Sequence, residues 1–284
     1  MMPYAEVIGD PIAQSKSPAL HRFWLDQLGI TADYRSVRVP AAELGSYLMG
    51  RRHDPDWRGC NATIPHKESI AKLVDQVTPD ATLIGAVNCV VRQGERLVGY
   101  NSDVDGIAAA IGHIPLEGRC VVLIGAGGAA RAMLAYLGSR KPGAVTLLVR
   151  DPVKAARLQV VAPEIDLHFL PLAEARDALA TATLVVNASP LGMSGASAMP
   201  DDLLVAIKAN AIGSAYFDMV YQPLRTRFLE AAATGGAETI DGLTMLIGQA
   251  RQAFRLFFGK DASPDDEPVR ALLTSIPSPD ARNA

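Results

Sequence analysis

Short apolar segments of strand length alternate with amphipathic segments of helical length along most of the chain. Near the start, this pattern predicts strands over residues 4–10, 33–39 and 57–64, separated by helices over 17–29 and 41–52. Strands that are joined by helices in this way usually run parallel, with helices covering both faces of the sheet.

The pattern changes after the third strand. Residues 85–102 contain two apolar runs on either side of a turn at Gln93 and Gly94, which predicts a hairpin. A helix over 104–112 follows, and from Arg119 onward strands and helices alternate more strictly. The strands predicted in this second half cover residues 120–125, 144–150, 166–170, 182–189 and 215–221.

This organisation predicts two α/β domains: an N-terminal, mixed-sheet substrate domain and a Rossmann-type, doubly wound dinucleotide-binding domain. We expect residues 1–102 to form the first domain and residues 103–240 the second. A long apolar helix over 241–259 need not pack on the second domain, so C-terminal helices at about 241–284 are expected to complete the first. The polar tail, residues 277–284, is expected to be frayed.

The composition narrows the classes of function. The net charge is −3 and no long basic or acidic run is present, which argues against nucleic acid or an anionic membrane as the partner. Neither a secretory signal nor an apolar run of the roughly 18 residues that span a bilayer is visible, so we expect a cytoplasmic protein. Cys60, Cys89 and Cys120 have no CxxC spacing, and we expect neither disulfides nor a metal site.

A glycine-rich turn lies between an apolar strand and a helix. Gly125, Gly127 and Ala130 fit the pattern GxGxxA in the context that a dinucleotide-binding turn requires. Gly125 permits the tight turn, Gly127 lets the backbone approach a pyrophosphate, and Ala130 allows close packing of helix on strand. The N–H groups at the helix start, in the stretch that also holds Gly128 and Ala129, can bind the anion. The alternative is a tight turn that binds no ligand.

The residue that closes the next strand usually selects the cofactor in such a domain. Arg150 places a cation where the 2′-phosphate of NADP would bind, and a guanidinium can bind phosphate in bidentate fashion. Asp151 follows immediately, and its carboxylate could instead accept hydrogen bonds from the ribose diol of NAD. The sequence favours NADP and leaves open both NAD and a surface turn without a cofactor contact.

Several polar turns are predicted in the first half of the chain. Residues 61–67, NATIPHK, place an amide, a hydroxyl, an imidazole and an ammonium after one strand. Other turns contain Ser15 and Ser17, Asn88, and the asparagine, serine and aspartate of residues 101–103. Because ligands bind outside the carboxyl ends of strands in a parallel α/β sheet, we expect these turns to converge.

The chemistry of these turns suits a small polyol that carries a carboxylate. Ser15 and Ser17 can donate to a carboxylate, although one of them could simply cap the helix that follows. Asn61, Asn88 and Asp103 can form hydrogen bonds with ring hydroxyls.

Lys67 is the strongest candidate for proton transfer, because an amine can both give and take a proton, and Asp103 could orient it. His66 is a competitor, since imidazole groups titrate near neutral pH. Two alternatives stay open: Lys67 as a surface cation only, and His66 as a residue that points elsewhere.

These motifs resemble those of the shikimate dehydrogenase family of oxidoreductases, in matching order and spacing over most of the chain. The family has paired serines before a proline, an asparagine–x–threonine–x–proline–x–lysine motif, a glycine–alanine–valine–asparagine strand and an asparagine–threonine–aspartate motif. The matching residues are Ser15, Ser17 and Pro18; Asn61, Thr63, Pro65 and Lys67; 85–88; and Asn101, Ser102 (in place of threonine) and Asp103.

The resemblance continues through the second half. The family's asparagine–arginine–threonine motif for NADP corresponds to Val149, Arg150 and Asp151, which keeps only the arginine. Residues 187–193 resemble the family's nicotinamide-side loop. The remaining matches are cofactor contacts at Met219 and Gly242 and substrate contacts at Tyr221 and Gln249.

The resemblance implies a function, the reversible NADPH-dependent reduction of 3-dehydroshikimate to shikimate in chorismate biosynthesis. Hydride would pass from the nicotinamide to the substrate carbonyl carbon, and Lys67, helped by Asp103, would supply the proton. Asn61, Thr63 and Asn88 would bind the substrate ring. We expect a monomer or a homodimer. The alternatives are a quinate/shikimate or amino-shikimate dehydrogenase that tolerates NAD, and a non-catalytic ligand sensor on the same fold.

Overall fold

The computed structural model describes residues 2–276, so the tail that is expected to be frayed lies outside the described residues. The chain divides into two compact units. The first runs to Asp103 and resumes at Gln249, and the second covers Val104–Gly248. The boundaries of the functional domains, as expected from the sequence, stay a prediction.

Strands and helices alternate along the described chain. The strands are β1 (Tyr4–Gly9), β2 (Asp33–Arg38), β3 (Trp57–Ala62), β4 (Gln76–Val77), β5 (Cys89–Gln93), β6 (Arg96–Tyr100), β7 (Cys120–Ile124), β8 (Ala144–Val149), β9 (Leu167–Pro171), β10 (Ala182–Asn187), β11 (Ala215–Asp218) and β12 (Glu238–Ile240). The α-helices are α1 (Ser17–Gln27), α2 (Leu44–Arg52), α3 (Pro79–Ile84), α4 (Asp103–Ile111), α5 (Gly128–Gly138), α6 (Pro152–Ala155), α7 (Ala175–Ala180), α8 (Asp201–Asn210), α9 (Arg227–Thr234), α10 (Gly242–Phe258) and α11 (Glu267–Ser275).

A mixed sheet forms the centre of the first unit, with its strands in the order β2-β1-β3-β5-β6-β4. β2 and β3 run parallel to β1, whereas β5 runs antiparallel to both β3 and β6. The carboxyl ends of the first three strands therefore lie at one edge of the sheet, where the polar turns begin.

Aromatic side chains explain why the residues from Gln249 onward belong with the N-terminal sheet. Phe254 of α10 packs edge-on against Trp24 of α1, with ring centroids 5.6 Å apart, and Phe257 lies near Tyr34 of β2. Trp24, Tyr34 and Phe254 are fully buried. Burying a side chain of this size stabilises the folded state by about 2–3 kcal/mol, so the end of the chain is anchored by its own aromatic residues.

The second unit is built on an all-parallel sheet in the order β12-β11-β10-β7-β8-β9. Counted from β7, this is the order 3-2-1-4-5-6 of dinucleotide-binding Rossmann folds, and the winding changes direction between β7 and β10. The expected combination of a mixed-sheet α/β unit with a Rossmann-type unit is confirmed. Among residues 2–276, no helix combines the length and the apolar character that crossing a bilayer would require.

Several strands end one to three residues earlier than the sequence predicts, and the difference is largest at β11. β11 stops at Asp218, although the apolar run continues to Tyr221. The N–H of Met219 donates to the carbonyl oxygen of Asn187 over 3.0 Å, and the N–H of Val220 donates to Oδ1 of Asp218 over 3.0 Å. The first bond is the last of the parallel ladder between β10 and β11, and the second forms a local turn that leads the backbone out of the sheet.

Candidate active site

The turn that carries Lys67 is tied to the sheet of the first unit by its backbone. Residues 64–69 form this turn after β3. The N–H of Thr63 donates to the carbonyl oxygen of Ile8 over 3.0 Å, and the carbonyl oxygen of Lys67 accepts from the N–H of Val87 over 2.8 Å. Lys67 therefore has a fixed place beside the segment that leads into β5.

The Lys67 side chain forms an ion pair with Asp103. Its Nζ lies 2.6 Å from Oδ2 of the carboxylate. The side chain of Asp103 is only 9% exposed, whereas that of Lys67 is 27% exposed. A charge-assisted bond of this length fixes the ammonium, and the exposed side leaves it accessible to a ligand or water.

Neighbouring polar residues hold the Asp103 carboxylate in place. Asn88, which lies just before β5 rather than within a strand, donates its Nδ2 to Oδ1 of Asp103 over 2.8 Å. Oδ1 of Asn88 accepts from the N–H of Ser102 over 2.8 Å, and Oδ1 of Asn101 accepts from the N–H of Asp103 over 3.0 Å. All four residues are buried, so these partners fix the direction of the carboxylate.

Asn61, at the end of β3, extends this group. Its Nδ2 donates to the carbonyl oxygen of Asn88 over 3.3 Å, and its Oδ1 accepts from the hydroxyl of Tyr34 over 2.7 Å. Complete burial raises the pKa of Tyr34 well above its usual value, so the hydroxyl keeps its proton and donates. Tyr34 carries no signal in the sequence, because an aromatic residue in a strand is indistinguishable from an ordinary core residue.

His66 lies in the core rather than with the polar group. Its side chain is 1% exposed, and its Nε2 lies 2.7 Å from the carbonyl oxygen of Val39. Because a carbonyl can only accept, this nitrogen carries the hydrogen. Of the two proton-transfer candidates, Lys67 is the accessible one.

Ser15 and Ser17 lie just before α1 and at its first residue. Oγ of Ser15 accepts from the N–H of Ser17 over 3.3 Å, but the N-cap position is occupied by Lys16 without a side-chain cap. The Nζ of Lys16 instead donates to the carbonyl oxygen of Leu273 over 2.6 Å. Within residues 2–276 neither serine hydroxyl donates a hydrogen bond, so both can donate to a ligand.

The other predicted substrate residues have different surroundings. Oε1 of Gln249 accepts from Oγ of Ser102 over 3.3 Å, which brings Gln249 to the polar group. The methyl group of Thr63 packs near Gly9, and a Cβ added at Gly9 would lie 2.6 Å from it. Among the described residues, the Thr63 side chain makes no hydrogen bond with the polar residues around Lys67. Tyr221 belongs to the second unit, and burial raises the pKa of its hydroxyl.

The glycine turn after β7 has the backbone geometry of a dinucleotide site. Gly125 has a φ of 111°, and a Cβ there would lie 3.0 Å from Cβ of Ser189, so the position requires glycine. Gly127 precedes α5, and a Cβ at Gly127 or Gly128 would meet nothing within 4 Å. Ala130 is fully buried against the sheet. The open space at the helix start, where N–H groups have no partner within the helix, fits a pyrophosphate.

Arg150 and Asp151 connect β8 to α6. Arg150 is exposed and forms no ion pair with another described residue. Asp151 is the N-cap residue of α6, and its Oδ1 accepts from the N–H of Lys154 over 3.0 Å. Asp151 therefore has a local structural role that the sequence analysis did not consider.

Met219, an expected cofactor contact, and Gly242, an expected nicotinamide contact, are adjacent. A Cβ at Gly242 would come within 2.6 Å of the carbonyl oxygen of Met219 and 2.7 Å of that of Val220. Glycine at the first position of α10 is therefore what permits this close approach.

A buried polar cluster at the ends of β10 and β11 was missed by the sequence analysis. Asp218 accepts from Nδ2 of Asn187 over 2.9 Å and from Oγ1 of Thr226 over 2.6 Å. Burial raises the pKa of Asp218 to about 6, although its hydrogen bonds oppose the shift. The sequence did contain a signal for this cluster: Asn187 and Asp218 are polar residues at the ends of apolar strands, and such residues need hydrogen-bond partners when they are buried.

Comparison with known proteins gives consistent matches. The family model for the shikimate dehydrogenase substrate binding domain matches residues 7–90, and the model for the shikimate 5′-dehydrogenase C-terminal domain matches residues 242–273. The NADP(+) shikimate dehydrogenase of Sphingopyxis alaskensis is 46% identical, over 96% of this chain and 97% of its own length.

Solved structures agree with these matches. Shikimate 5-dehydrogenase from Thermus thermophilus, in complex with NADP(H) and shikimate, is 37% identical with a TM-score of 0.81, covering 95% of this chain and 99% of that one. Quinate dehydrogenase from Corynebacterium glutamicum, in complex with NAD, is 29% identical with a TM-score of 0.83, covering 97% and 99%. With 46% identity to a curated member over nearly its full length, the chain belongs to the shikimate dehydrogenase family.

Proposed function

We propose that this chain is an NADP-dependent shikimate dehydrogenase, which reversibly reduces 3-dehydroshikimate to shikimate. The observation that carries the proposal is the ion pair of Lys67 and Asp103, 2.6 Å apart and held by buried amides. The S. alaskensis relative is a shikimate dehydrogenase that uses NADP(+), and the T. thermophilus structure holds NADP(H) and shikimate.

The second unit supplies the groups that would hold the cofactor. The first N–H groups of α5, around Gly127, Gly128 and Ala129, would bind the pyrophosphate. Arg150 would bind the 2′-phosphate. When bound, NADPH supplies the hydride that reduces the substrate's carbonyl carbon.

Lys67 performs the proton step. Its ammonium donates a proton to the substrate's carbonyl oxygen as that oxygen gains negative charge, and in the oxidation of shikimate its neutral amine takes the proton from the hydroxyl. Asp103 keeps Nζ at one point throughout. Because the Lys67 side chain is 27% exposed, water can restore its proton between turnovers.

The hydrogen-bond pattern leaves specific donors for the substrate ring. Asn61 and Asn88 each use one Nδ2 hydrogen within the network, so each amide has one N–H left for a ring hydroxyl. Ser15 and Ser17 would donate their hydroxyl hydrogens to the carboxylate. Thr63, Tyr221 and Gln249 are the remaining proposed substrate contacts.

The main alternative is a quinate/shikimate or amino-shikimate dehydrogenase that tolerates NAD. Asp151 next to Arg150 favours some NAD tolerance, because a carboxylate there can bind a ribose diol. Paired Ser15 and Ser17 favour shikimate, since the extra hydroxyl of quinate at the carboxylate-bearing carbon needs more room. A non-catalytic sensor would have no need of the Lys67–Asp103 pair.

A reducing cytoplasm is the compartment that suits the three unpaired cysteines, and we propose it as the location. We further propose that the protein acts as a monomer or a homodimer on its small-molecule substrate.

The direct test is the oxidation of NADPH by 3-dehydroshikimate, followed by absorbance with the full-length protein. We expect turnover with NADPH, slower turnover with NADH, and the reverse reaction with shikimate and NADP+. Faster turnover of quinate would support the alternative dehydrogenase. Binding of shikimate without turnover in either direction would refute the proposal in favour of a sensor.

A further inference from the structure

Asp218 is a buried carboxylate that the proposed reaction does not use. Asp218 and Asn187 are 0% exposed, and Thr226 is 1% exposed. All three partners donate to it: Nδ2 of Asn187 at 2.9 Å and the N–H of Val220 at 3.0 Å reach Oδ1, and Oγ1 of Thr226 at 2.6 Å reaches Oδ2. This pattern matches an ionised carboxylate, which only accepts.

The partners of Asp218 belong to two segments that follow neighbouring strands. Asn187 fixes the turn after β10, because its Oδ1 accepts from Oγ of Ser189 over 2.7 Å and its Nδ2 donates to the carbonyl oxygen of Leu191 over 3.0 Å. Thr226 fixes the start of α9, where its Oγ1 accepts from the N–H of Leu229 over 3.3 Å. Asp218 therefore connects one turn and one helix start through a single side chain.

The segment that carries Met219 and Tyr221 lies between these anchors. The N–H of Met219 donates to the carbonyl oxygen of Asn187 over 3.0 Å. Gly242 packs directly on the carbonyl oxygens of Met219 and Val220. The backbone of residues 219 and 220, which leads directly to Tyr221, is therefore held by Asn187, by Asp218 and by the start of α10.

Burial disfavours the charge of Asp218 and raises the pKa of its carboxyl to about 6. The donors that face it are a hydroxyl, an amide and a backbone N–H, which only partly compensate for lost hydration.

We propose that Asp218 is a positioning residue for the nicotinamide end of the cofactor site, whose carboxylate fixes the 219–221 segment against the turn after β10. It touches neither cofactor nor substrate, and it acts through Met219 and Tyr221. The inference rests on the proposed function, with Met219 as a cofactor contact and Gly242 as a nicotinamide contact.

The test compares two ligands by calorimetry on the full-length wild type and Asp218→Asn. NADP+ contains the nicotinamide, whereas 2′-phospho-ADP-ribose keeps the 2′-phosphate and the pyrophosphate but lacks it. The amide can still accept from Asn187 and Val220, but its NH2 faces the Thr226 hydroxyl, which loses its acceptor. We expect Asp218→Asn to bind NADP+ about fivefold to tenfold more weakly than the wild type does. Its affinity for 2′-phospho-ADP-ribose should change by less than about twofold.

Two variants of Thr226 provide the controls. Thr226→Ser keeps the hydroxyl and should bind both ligands as the wild type does, whereas Thr226→Val removes the donor to Oδ2 and should reproduce the selective loss. Weakening of both ligands to the same degree, or of neither, in Asp218→Asn and Thr226→Val overturns the proposal. Misfolding of both variants would also overturn the proposal, because it would show that Asp218 has a structural role instead. Wild-type turnover tests the proposed function separately, since these binding measurements need no substrate.

Discussion

Nζ of Lys67 lies 2.6 Å from Oδ2 of Asp103, although the two residues are 36 positions apart in the chain. The turn after β3 supplies the lysine, and the first residue of α4 supplies the carboxylate. Asn88 holds the other carboxylate oxygen at 2.8 Å. The position of the ammonium therefore depends on a carboxylate that is itself fixed by buried amides.

Asp103→Asn should lower kcat by about 10-fold or more while the fold survives. The amide keeps the shape of the carboxylate but loses its charge. If its NH2 takes the place of Oδ2, it presents a donor to the Lys67 ammonium, which needs an acceptor. Steady-state kinetics and thermal melting check this, with Asp80→Asn, at an exposed position of α3, as the control. A near-normal rate at an unchanged melting temperature would reduce Asp103 to a structural helix-start residue.

Ser15→Ala and Ser17→Ala should each raise the KM for shikimate more than they lower kcat. The hydroxyls are expected to bind the carboxylate, an interaction that is equally present in the ground and transition states. Kinetics and melting temperature are measured together. Lower thermal stability at a normal KM would instead mean that the serines support the start of α1.

Arg150→Ala should impair the use of NADP and leave the use of NAD almost unchanged. A charged hydrogen bond to the 2′-phosphate is worth about 1.5–3 kcal/mol, or roughly 10- to 150-fold in kcat/KM. The measurement is kcat/KM with each cofactor in both proteins. An equal loss with both cofactors would make Arg150 a residue that does not select between them.

Asp151→Thr should improve the use of NADP, because it removes a negative charge beside the 2′-phosphate. Threonine is also a good N-cap residue, so the bond to the N–H of Lys154 can be kept. Asp151→Ala is the matched control, since it removes the charge together with the cap and should cost about 1 kcal/mol of stability. Better use of NAD by Asp151→Thr would contradict this account.

His21 should make the protein sensitive to acid. It is fully buried, both ring nitrogens have no hydrogen-bond partner in the described chain, and its ring stacks on Tyr34 at 3.9 Å. Burial lowers the pKa of His21 from 6.5 to about 3. Between these values the unfolded state binds more protons, so stability is complete above pH 6.5 and falls as the pH falls, by on the order of 5 kcal/mol in total.

His21→Phe keeps an aromatic ring and removes this titration. Urea denaturation of wild type and variant at pH 7 and about pH 4.5 checks the prediction, with the difference between the proteins isolating His21. The variant should lose less stability on acidification. Parallel losses in the two proteins would show that folded His21 takes up its proton near the usual pKa and adds nothing to the acid sensitivity.

Local patterns were sufficient to predict the dinucleotide turn. Gly125 and Gly127 lie directly between a buried strand and a helix, and the constraints on them arise within a few residues. The pairing of Lys67 with Asp103 was also predictable, because both follow strands whose ends were expected to meet. The roles of the individual site residues in binding and catalysis stay predictions.

Contacts between distant segments were not predictable from one sequence. Tyr34 on β2 donates to Asn61 on β3 across the intervening β1, and nothing near Tyr34 marks its hydroxyl as functional. The end of β11 at Asp218 depends on the bond from the N–H of Val220 to the Asp218 side chain, which the apolar run to Tyr221 conceals. The cap formed by Asp151 was hidden because α6 has only four residues.

The most direct test of the proton-transfer account is kcat for Lys67→Ala with 3-dehydroshikimate and NADPH. The account predicts a fall of about 10² or more, with a far smaller change in substrate binding and partial recovery when a small alkylamine is added. Lys72→Ala, in the exposed segment just after the turn, is the control and should match the wild type. An unchanged kcat in Lys67→Ala would contradict the account and remove Lys67 from the mechanism.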